Sequence, residues 1–260
     1  MNFNIMDSHV HSTFSHDGLN KIEEICNKAI NKGTKYITFT EHVDYNPLDE
    51  GYKFLEVEKY LEKIEKVNKK FGEKIEIFSG VEFSEPHLYP EQLNKYNDYE
   101  FDLIMGAIHW VGDIFVGDDE LQNRYTFNEI FLKYYNLLYR SVKNNNFDVV
   151  AHLDFPKRYL NYEYKNENLM NKILKQIVKN DIVLEINSSS LRKGLSTPMP
   201  SEWILKKYIK FGGKRVTIGS DSHRINELTN DFELIYKIVE KLDLIPGYFK
   251  KREFIKLNKS

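Results

Sequence analysis

Short apolar runs alternate with longer amphipathic stretches along most of this chain. The runs fall at residues 3–6, 36–39, 75–78, 103–108, 147–151, 182–186 and 215–218, each short, apolar and suited to a strand. Between and after them, residues 20–31, 57–71, 127–142, 169–178, 201–211 and 232–242 carry apolar positions at the spacing of one helix face. Gly33 closes the first of these helices, and Cys26 falls with Ile22, Ile25, Ala29 and Ile30 on its apolar side, which predicts a buried thiol. Tyr134, Tyr135 and Tyr139 lie at helical spacing and predict core packing rather than a stacking platform. Strands alternating with helices in this way predict βαβ units and a parallel sheet, either doubly wound or closed into a barrel-like array. No Pro/Gly/Ser-rich linker divides the pattern, so residues 1–260 read as a single domain.

Composition narrows the function classes. A formal net charge of -2 provides no global field for nucleic acid or anionic membrane. The basic run Lys250-Lys251-Arg252, with Lys256 and Lys259, reads as solvated surface. No stretch reaches the roughly 20 apolar residues of a spanning helix, and the start of the chain lacks a basic-then-apolar signal pattern. The single cysteine excludes an internal disulfide. A cytoplasmic protein is the expectation.

The residues just after each apolar run are the most informative. Asp7, His9 and His11 come after the first, Glu41 and His42 after the second, and Glu82 after the third. His109 comes after the fourth, His152 and Asp154 after the fifth, Glu185 and Asn187 at the end of the sixth, and Asp221 and His223 after the seventh. In parallel α/β sheets and barrels the C-terminal strand ends form one rim, where such residues converge. One His or Asp at a strand end is usually a hydrogen-bonded structural residue; agreement at seven ends predicts a site. His87 stands apart, in a segment that reads as an exposed loop. His9 and His11, two apart on an extended segment, share a face and suit two ligands of one metal; Asp7 reads as an acceptor supporting a histidine N–H. Imidazole and carboxylate donors without thiolate suit Zn, Fe or Mn and do not separate them. A catalytic zinc takes about three protein ligands, so this many histidines imply two or three ions.

Taken in order, Asp7-Ser8-His9-Val10-His11, His16, Thr40-Glu41-His42, Gly80-Val81-Glu82, His109, His152-Leu153-Asp154 and Gly219-Ser220-Asp221-Ser222-His223 resemble the PHP (polymerase and histidinol phosphatase) metallophosphoesterases. The resemblance implies an α/β fold, a distorted TIM-like (β/α)7 barrel, with three divalent metal ions at the C-terminal ends of the strands. It implies that His9, His11, Glu82 and Asp221 hold one ion. Glu82 would bridge to a second, completed by His109 and His152, and His16, His42 and His223 would hold the third. Within the family, chain length and motif context resemble the stand-alone histidinol-phosphate phosphatases. That implies hydrolysis of L-histidinol phosphate to L-histidinol and phosphate. The segment from His152 to Tyr159 resembles the one in which those enzymes carry a basic residue. Arg158 is therefore the first candidate to grip the phosphate, with its planar fork, and Lys157 and Arg192 are further candidates.

Three divalent ions with Glu82, Asp221 and one hydroxide would leave a charge of about +3 to meet a phosphate dianion. The hydroxide would attack phosphorus in line, and Asp17, Asp154 or a bound water would protonate the departing alkoxide. Glu41, Asp44, Glu85 and Asp154 lie near the rim and would face the substrate ammonium groups. Two other readings compete. A nucleotide or oligonucleotide phosphoesterase of the same family would call for a basic or aromatic groove. A non-catalytic metal-binding scaffold would have lost ligands, and here all nine expected positions are filled.

Overall fold

The computed structural model describes residues 3–144 and 146–258, so Lys259 of the basic C-terminal run lies outside the described residues. Its strands are β1 (Ile5–Val10), β2 (Thr34–Val43), β3 (Glu76–Ser84), β4 (Leu103–Ala107), β5 (Trp110–Val111), β6 (Ile114–Phe115), β7 (Val149–Val150), β8 (Val183–Asn187), β9 (Arg215–Gly219), β10 (Ile245–Lys250) and β11 (Glu253–Lys256). Strands β1, β2, β3, β4, β7, β8 and β9 pair in parallel, in that order. Helices Ile22–Asn31, Val57–Phe71, Phe127–Asn144, Glu167–Lys179 and Glu202–Lys210 run between them, and Phe232–Lys241 follows the last. The chain forms the expected distorted (β/α)7 barrel.

The first and last barrel strands meet only at their upper ends. Asp221 N–H donates to the His9 carbonyl at 2.8 Å, and His11 N–H donates to the Ser222 carbonyl at 2.9 Å. Lower down, β10 instead pairs with the start of β9, through Ile245 opposite Arg215 and Pro246 opposite Val216. The β10–β11 hairpin then crosses the N-terminal ends of the strands as a plug. Tyr248 stacks on Tyr36 at 4.5 Å and on Phe78 at 5.0 Å, while Phe249 joins Leu103, Met105, Val149 and Val183 in an apolar cluster. Residues 103 and 105 alternate inward, as period-two strand geometry requires.

Two expectations need correction here. The basic run is not simply solvated: Arg252 pairs with Asp148 and reaches Asn97, and the Lys251 N–H donates to Asp102. The strands also extend past their apolar runs. Thr34–Val43 includes Glu41 and His42, and Glu76–Ser84 includes Glu82, so these side chains sit within regular strand rather than after it. An apolar count stops too early because the upper barrel interior is polar. The helix faces behave as expected: Cys26, Tyr134 and Tyr135 are buried. No helix among the described residues is long and apolar enough to cross a membrane.

Because Arg252 is the cationic partner of a mostly buried Asp148, Arg252→Ala leaves that carboxylate short of charge. Its unfolding free energy in urea should fall by about 2 kcal/mol relative to the unmodified chain.

Candidate metal centre

The barrel mouth gathers side chains from every parallel strand. His9 comes from β1, Glu41 and His42 from β2, Glu82 from β3 and Glu185 from β8. His11, Ser15, His16 and Asp17 follow β1, His109 follows β4, His152 follows β7, and Asp221 and His223 follow β9. Both His152 and Asp221 take left-handed backbone, at φ 25 and 53, which turns the chain sharply into the mouth. Three sets of ligand atoms each lie within 4.8 Å of one another: His9, His11 and Asp221; Glu82, His109 and His152; and His11, His42 and His223. Glu82 joins the first two. Its Oε2 is 3.3 Å from His9 Nε2 and 3.5 Å from His11 Nε2; its Oε1 is 2.8 Å from His152 Nε2 and 3.5 Å from His109 Nε2.

The third set differs from the family expectation. His42 Nε2 and His223 Nε2 lie 3.3 Å apart, as a shared ion would require, but Asp17 stands beside them, 3.1 Å from His223 and 3.7 Å from His42. His16 instead comes within reach of Asp44 and Asp49. The His16 ring nevertheless lies 5.8 Å from that of His42, with its Nδ1 3.9 Å from Asp17 Oδ1.

A chain of hydrogen bonds behind the histidines sets which nitrogen each presents. Glu185 Oε1 accepts from His9 Nδ1 at 2.7 Å, leaving Nε2 as the donor atom facing Glu82 and Asp221. The Ser15 hydroxyl gives its proton to Glu41, so it accepts from His11 Nδ1 at 3.1 Å and frees His11 Nε2 in the same way. His109 Nδ1 meets Ser84 Oγ at 3.1 Å, and His223 Nδ1 meets the Asp221 carbonyl at 3.2 Å. All four rings therefore present Nε2 to the centre, held by partners that fix tautomer and angle.

This donor set fits divalent ions. Lone pairs of His9 and His11 lie 3.0 Å apart and point at carboxylate oxygens, an arrangement that is repulsive unless positive charge stands among them. The protonation balance shows the same demand. Burial alone would raise the Glu82 carboxyl, yet His9 and His109 hold it well below the carboxylate range. Burial disfavours a charged His9, yet Glu185, Glu82 and Asp221 push its pKa well up. His42 is likewise pushed up to about 10, against burial, chiefly by Asp17. The His16 Nδ1 atom is buried without a hydrogen-bond partner, and His42 Nδ1 lies 3.2 Å from Glu82 Oε2.

Above the centre lies a cavity of about 370 Å³, a size that suits a small molecule. Arg158 lines it, donating from Nη1 to Asp221 Oδ2 at 2.8 Å while its buried Nε has no partner. Aromatic faces of Trp110, Phe115, Phe155 and Tyr159 and the acids Asp44, Asp49, Glu50 and Asp118 complete much of the wall.

Several expected roles do not match these positions. Lys157 is buried against the Pro198 carbonyl at 2.6 Å and lies 3.9 Å from Asp154, which itself accepts from Ser201 N–H. Neither lines the cavity. Together they pin the segment before Glu202–Lys210, so Lys157 is not aimed at a phosphate nor Asp154 at a leaving group. Arg192 donates to the Ser220 and Asp221 carbonyls, bracing the Asp221 turn from outside the cavity. Asp17 does face the cavity, but against burial His223 and His42 hold its carboxyl well below the usual range, an anion rather than a ready proton donor.

His87 is half-buried, not exposed. Its Nδ1 lies 3.1 Å from Ser141 Oγ, and burial with the nearby Arg140 pushes its pKa down to about 4. Asp7 supports no histidine ring; its carboxylate accepts from the backbone N–H groups of Ser220, Thr229 and His9. Of the four acids considered for an ammonium, Asp44 alone lines the cavity, since Glu41 is engaged by Ser12 and Ser15 and Glu85 by the His109 and Trp110 N–H groups.

The residue that sequence reasoning left without a role is Glu185. Its second oxygen accepts from His152 N–H at 2.7 Å and from Asn187 at 3.1 Å, so one carboxylate orients members of two ligand sets. Its polar character inside an apolar strand was the available signal. Glu185→Gln keeps the shape but places an NH2 group where one of two N–H donors must be met. Zinc affinity, measured by competition with a chelator, should drop by about 10- to 100-fold.

A family model described as the PHP domain matches residues 7–189. A probable histidinol-phosphatase of Clostridium acetobutylicum is 32% identical and spans 95% of this chain and 98% of its own. One from Thermotoga maritima is 31% identical over 92% of this chain and 93% of its own. The crystal structure of histidinol phosphate phosphatase from Lactococcus lactis, complexed with zinc, L-histidinol and phosphate, superposes with a TM-score of 0.87 at 25% identity, covering 97% of this chain and 99% of that one. With its ordered histidines and carboxylates at the barrel mouth, the chain belongs to the PHP domain family.

Proposed function

We propose that this chain is a metal-dependent phosphomonoesterase that hydrolyses L-histidinol phosphate to L-histidinol and phosphate. The observation that carries the reading is Arg158, which reaches over a histidine–carboxylate centre inside a small cavity whose remaining wall is acidic and aromatic. The likeness to relatives named histidinol-phosphatase, and to one holding L-histidinol and phosphate, supports the same substrate.

In this reading three divalent ions, Zn, Fe or Mn, are held by His9, His11, Glu82 and Asp221, by Glu82, His109 and His152, and by His42 and His223 with His16 or Asp17. Such ions supply Lewis-acid stabilisation of charge on the phosphoryl group and lower the pKa of water. Arg158 would offer its guanidinium to the phosphate while Nη1 stays on Asp221, so substrate grip and ligand position are linked through one side chain. Its plane is held beside Phe155 and Tyr159 at 5.7 and 5.6 Å. The acids Asp44, Asp49, Glu50 and Asp118 favour a substrate whose organic part is cationic and repel one with further phosphates. A nucleotide or oligonucleotide fits that wall poorly. On this reading the chain works in the cytoplasm on a small phosphorylated substrate, with neither nucleic acid nor membrane as partner.

Purified, metal-loaded protein should release phosphate from L-histidinol phosphate at least tenfold more efficiently than from a mononucleotide, and leave a short oligonucleotide intact; an equal preference sinks the substrate assignment. Chelation, or His9→Ala, should abolish turnover, and near-normal activity in that variant excludes the proposed centre. Arg158→Lys should lower kcat/KM by about 10- to 100-fold, because an ammonium replaces a fork by a single point charge.

A further inference from the structure

Two loops that are remote in sequence meet at the cavity wall. The loop after β2 contributes Leu48, Asp49 and Glu50, and the β5–β6 hairpin contributes Trp110 and Phe115. They are joined by one side-chain hydrogen bond, from Trp110 Nε1–H to Asp49 Oδ2 at 2.9 Å. The other Asp49 oxygen accepts from Gly51 N–H at 2.8 Å. Although Asp49 lies within metal-ligand reach of His16 and Asp44, both its oxygens are thus directed at N–H donors.

The loop rests directly on the centre. A methyl group at Gly51 would lie 2.6 Å from His16 Nδ1 and 2.8 Å from Asp44 Oδ2, so any larger residue would have to displace one of these side chains. Backbone bonds from Lys53 N–H to the Asp44 carbonyl at 2.9 Å and from Tyr52 N–H to the Asp49 carbonyl at 3.1 Å close the turn. Yet the loop buries little apolar surface near its tip: Leu48, Tyr52 and Phe54 are 61%, 40% and 48% exposed. A segment with few apolar anchors is held by its polar contacts and opens easily when one is lost. The Trp110 end is firm, since the backbone N–H groups of His109 and Trp110 both donate to the buried Glu85.

We propose that Trp110 and Asp49 are positioning residues that clasp the loop shut over His16, and that this clasp sets how tightly the organic part of the phosphate ester is held. The proposal rests on the phosphatase reading above. It separates two contributions to binding: Arg158 meets the phosphate, and the clasped loop shapes the pocket for the remainder.

Hydrogen exchange over residues 45–54 of the metal-loaded protein tests the clasp without turnover. Trp110→Phe keeps an aromatic ring but removes the N–H, and exchange should quicken by about tenfold. Asp49→Ala should quicken it at least as much, because it also removes the acceptor of the Gly51 N–H, and Trp110→Tyr, which likewise lacks the indole N–H, carries the test if the first variant fails to fold. The double variant should exchange no faster than Asp49→Ala, because each change removes the same bond. With L-histidinol phosphate, Trp110→Phe should raise KM by about tenfold and leave inhibition by inorganic phosphate unchanged. Wild-type exchange in Trp110→Phe, or effects that multiply in the double variant, overturn the clasp and leave Asp49 acting by its charge, as a cation ligand would. If wild-type protein does not turn over L-histidinol phosphate, the substrate reading falls while the exchange result still decides the clasp.

Discussion

Glu82 is an anion with almost no access to water, and it lies within 3.5 Å of nitrogens on His9, His11, His42, His109 and His152. A carboxylate in that position is tolerable only if positive charge meets it. Everything around the barrel mouth answers that requirement. Strand β3 carries Glu82 to the centre of the rim, its neighbours β2 and β4 bring His42 and His109 beside it, and the β1–β9 seam brings His9 with Asp221 from the other side. The same requirement makes the arrangement chemically useful, because ions that satisfy the carboxylates also face the cavity.

Orientation is the second layer. Nitrogen ligands converge only if each ring is locked in one tautomer, and the locks here are of different kinds. A buried carboxylate serves His9, hydroxyls serve His11 and His109, and a backbone carbonyl serves His223. The hydroxyls are not endpoints: Ser15 is itself fixed by Glu41. Glu41, Ser84 and Glu185 thus act on the centre without contacting what it binds, and the strands that carry them give that action its precision.

Much of this was legible in the sequence, for a physical reason. A parallel barrel sends every strand's C-terminal end to one rim, so histidines placed after successive apolar runs had to meet. The order of those runs foretold the order of the strands, while the bridging position of Glu82 was an implication of the family resemblance. What the sequence concealed were relations that leave no periodic mark. Glu185 looks like any strand carboxylate until its two oxygens are seen on His9 and His152. Lys157 and Arg158 are adjacent cations on one four-residue helix, and its turn decides that Arg158 lines the cavity while Lys157 does not; Arg192, on the helix Ser189–Arg192, is spent on backbone carbonyls. His16, although its ring lies 5.8 Å from that of His42, also comes within ligand reach of Asp44 and Asp49. The C-terminal plug was hidden by Pro246, Gly247 and a charged turn, which disguise a hairpin as a solvated tail.

The seam between β1 and β9 has a consequence for synthesis. Ser220 reaches Asp7 across 213 positions, and the first ligand set is split between the two ends of that span. His9 and His11 are translated well before Asp221, and their set is not completed until the seventh barrel strand has been made and docked. Contacts this distant form late in folding. The seam therefore ties the completion of the His9, His11 and Asp221 set to closure of the barrel, whereas Glu82, His109 and His152 all precede β8.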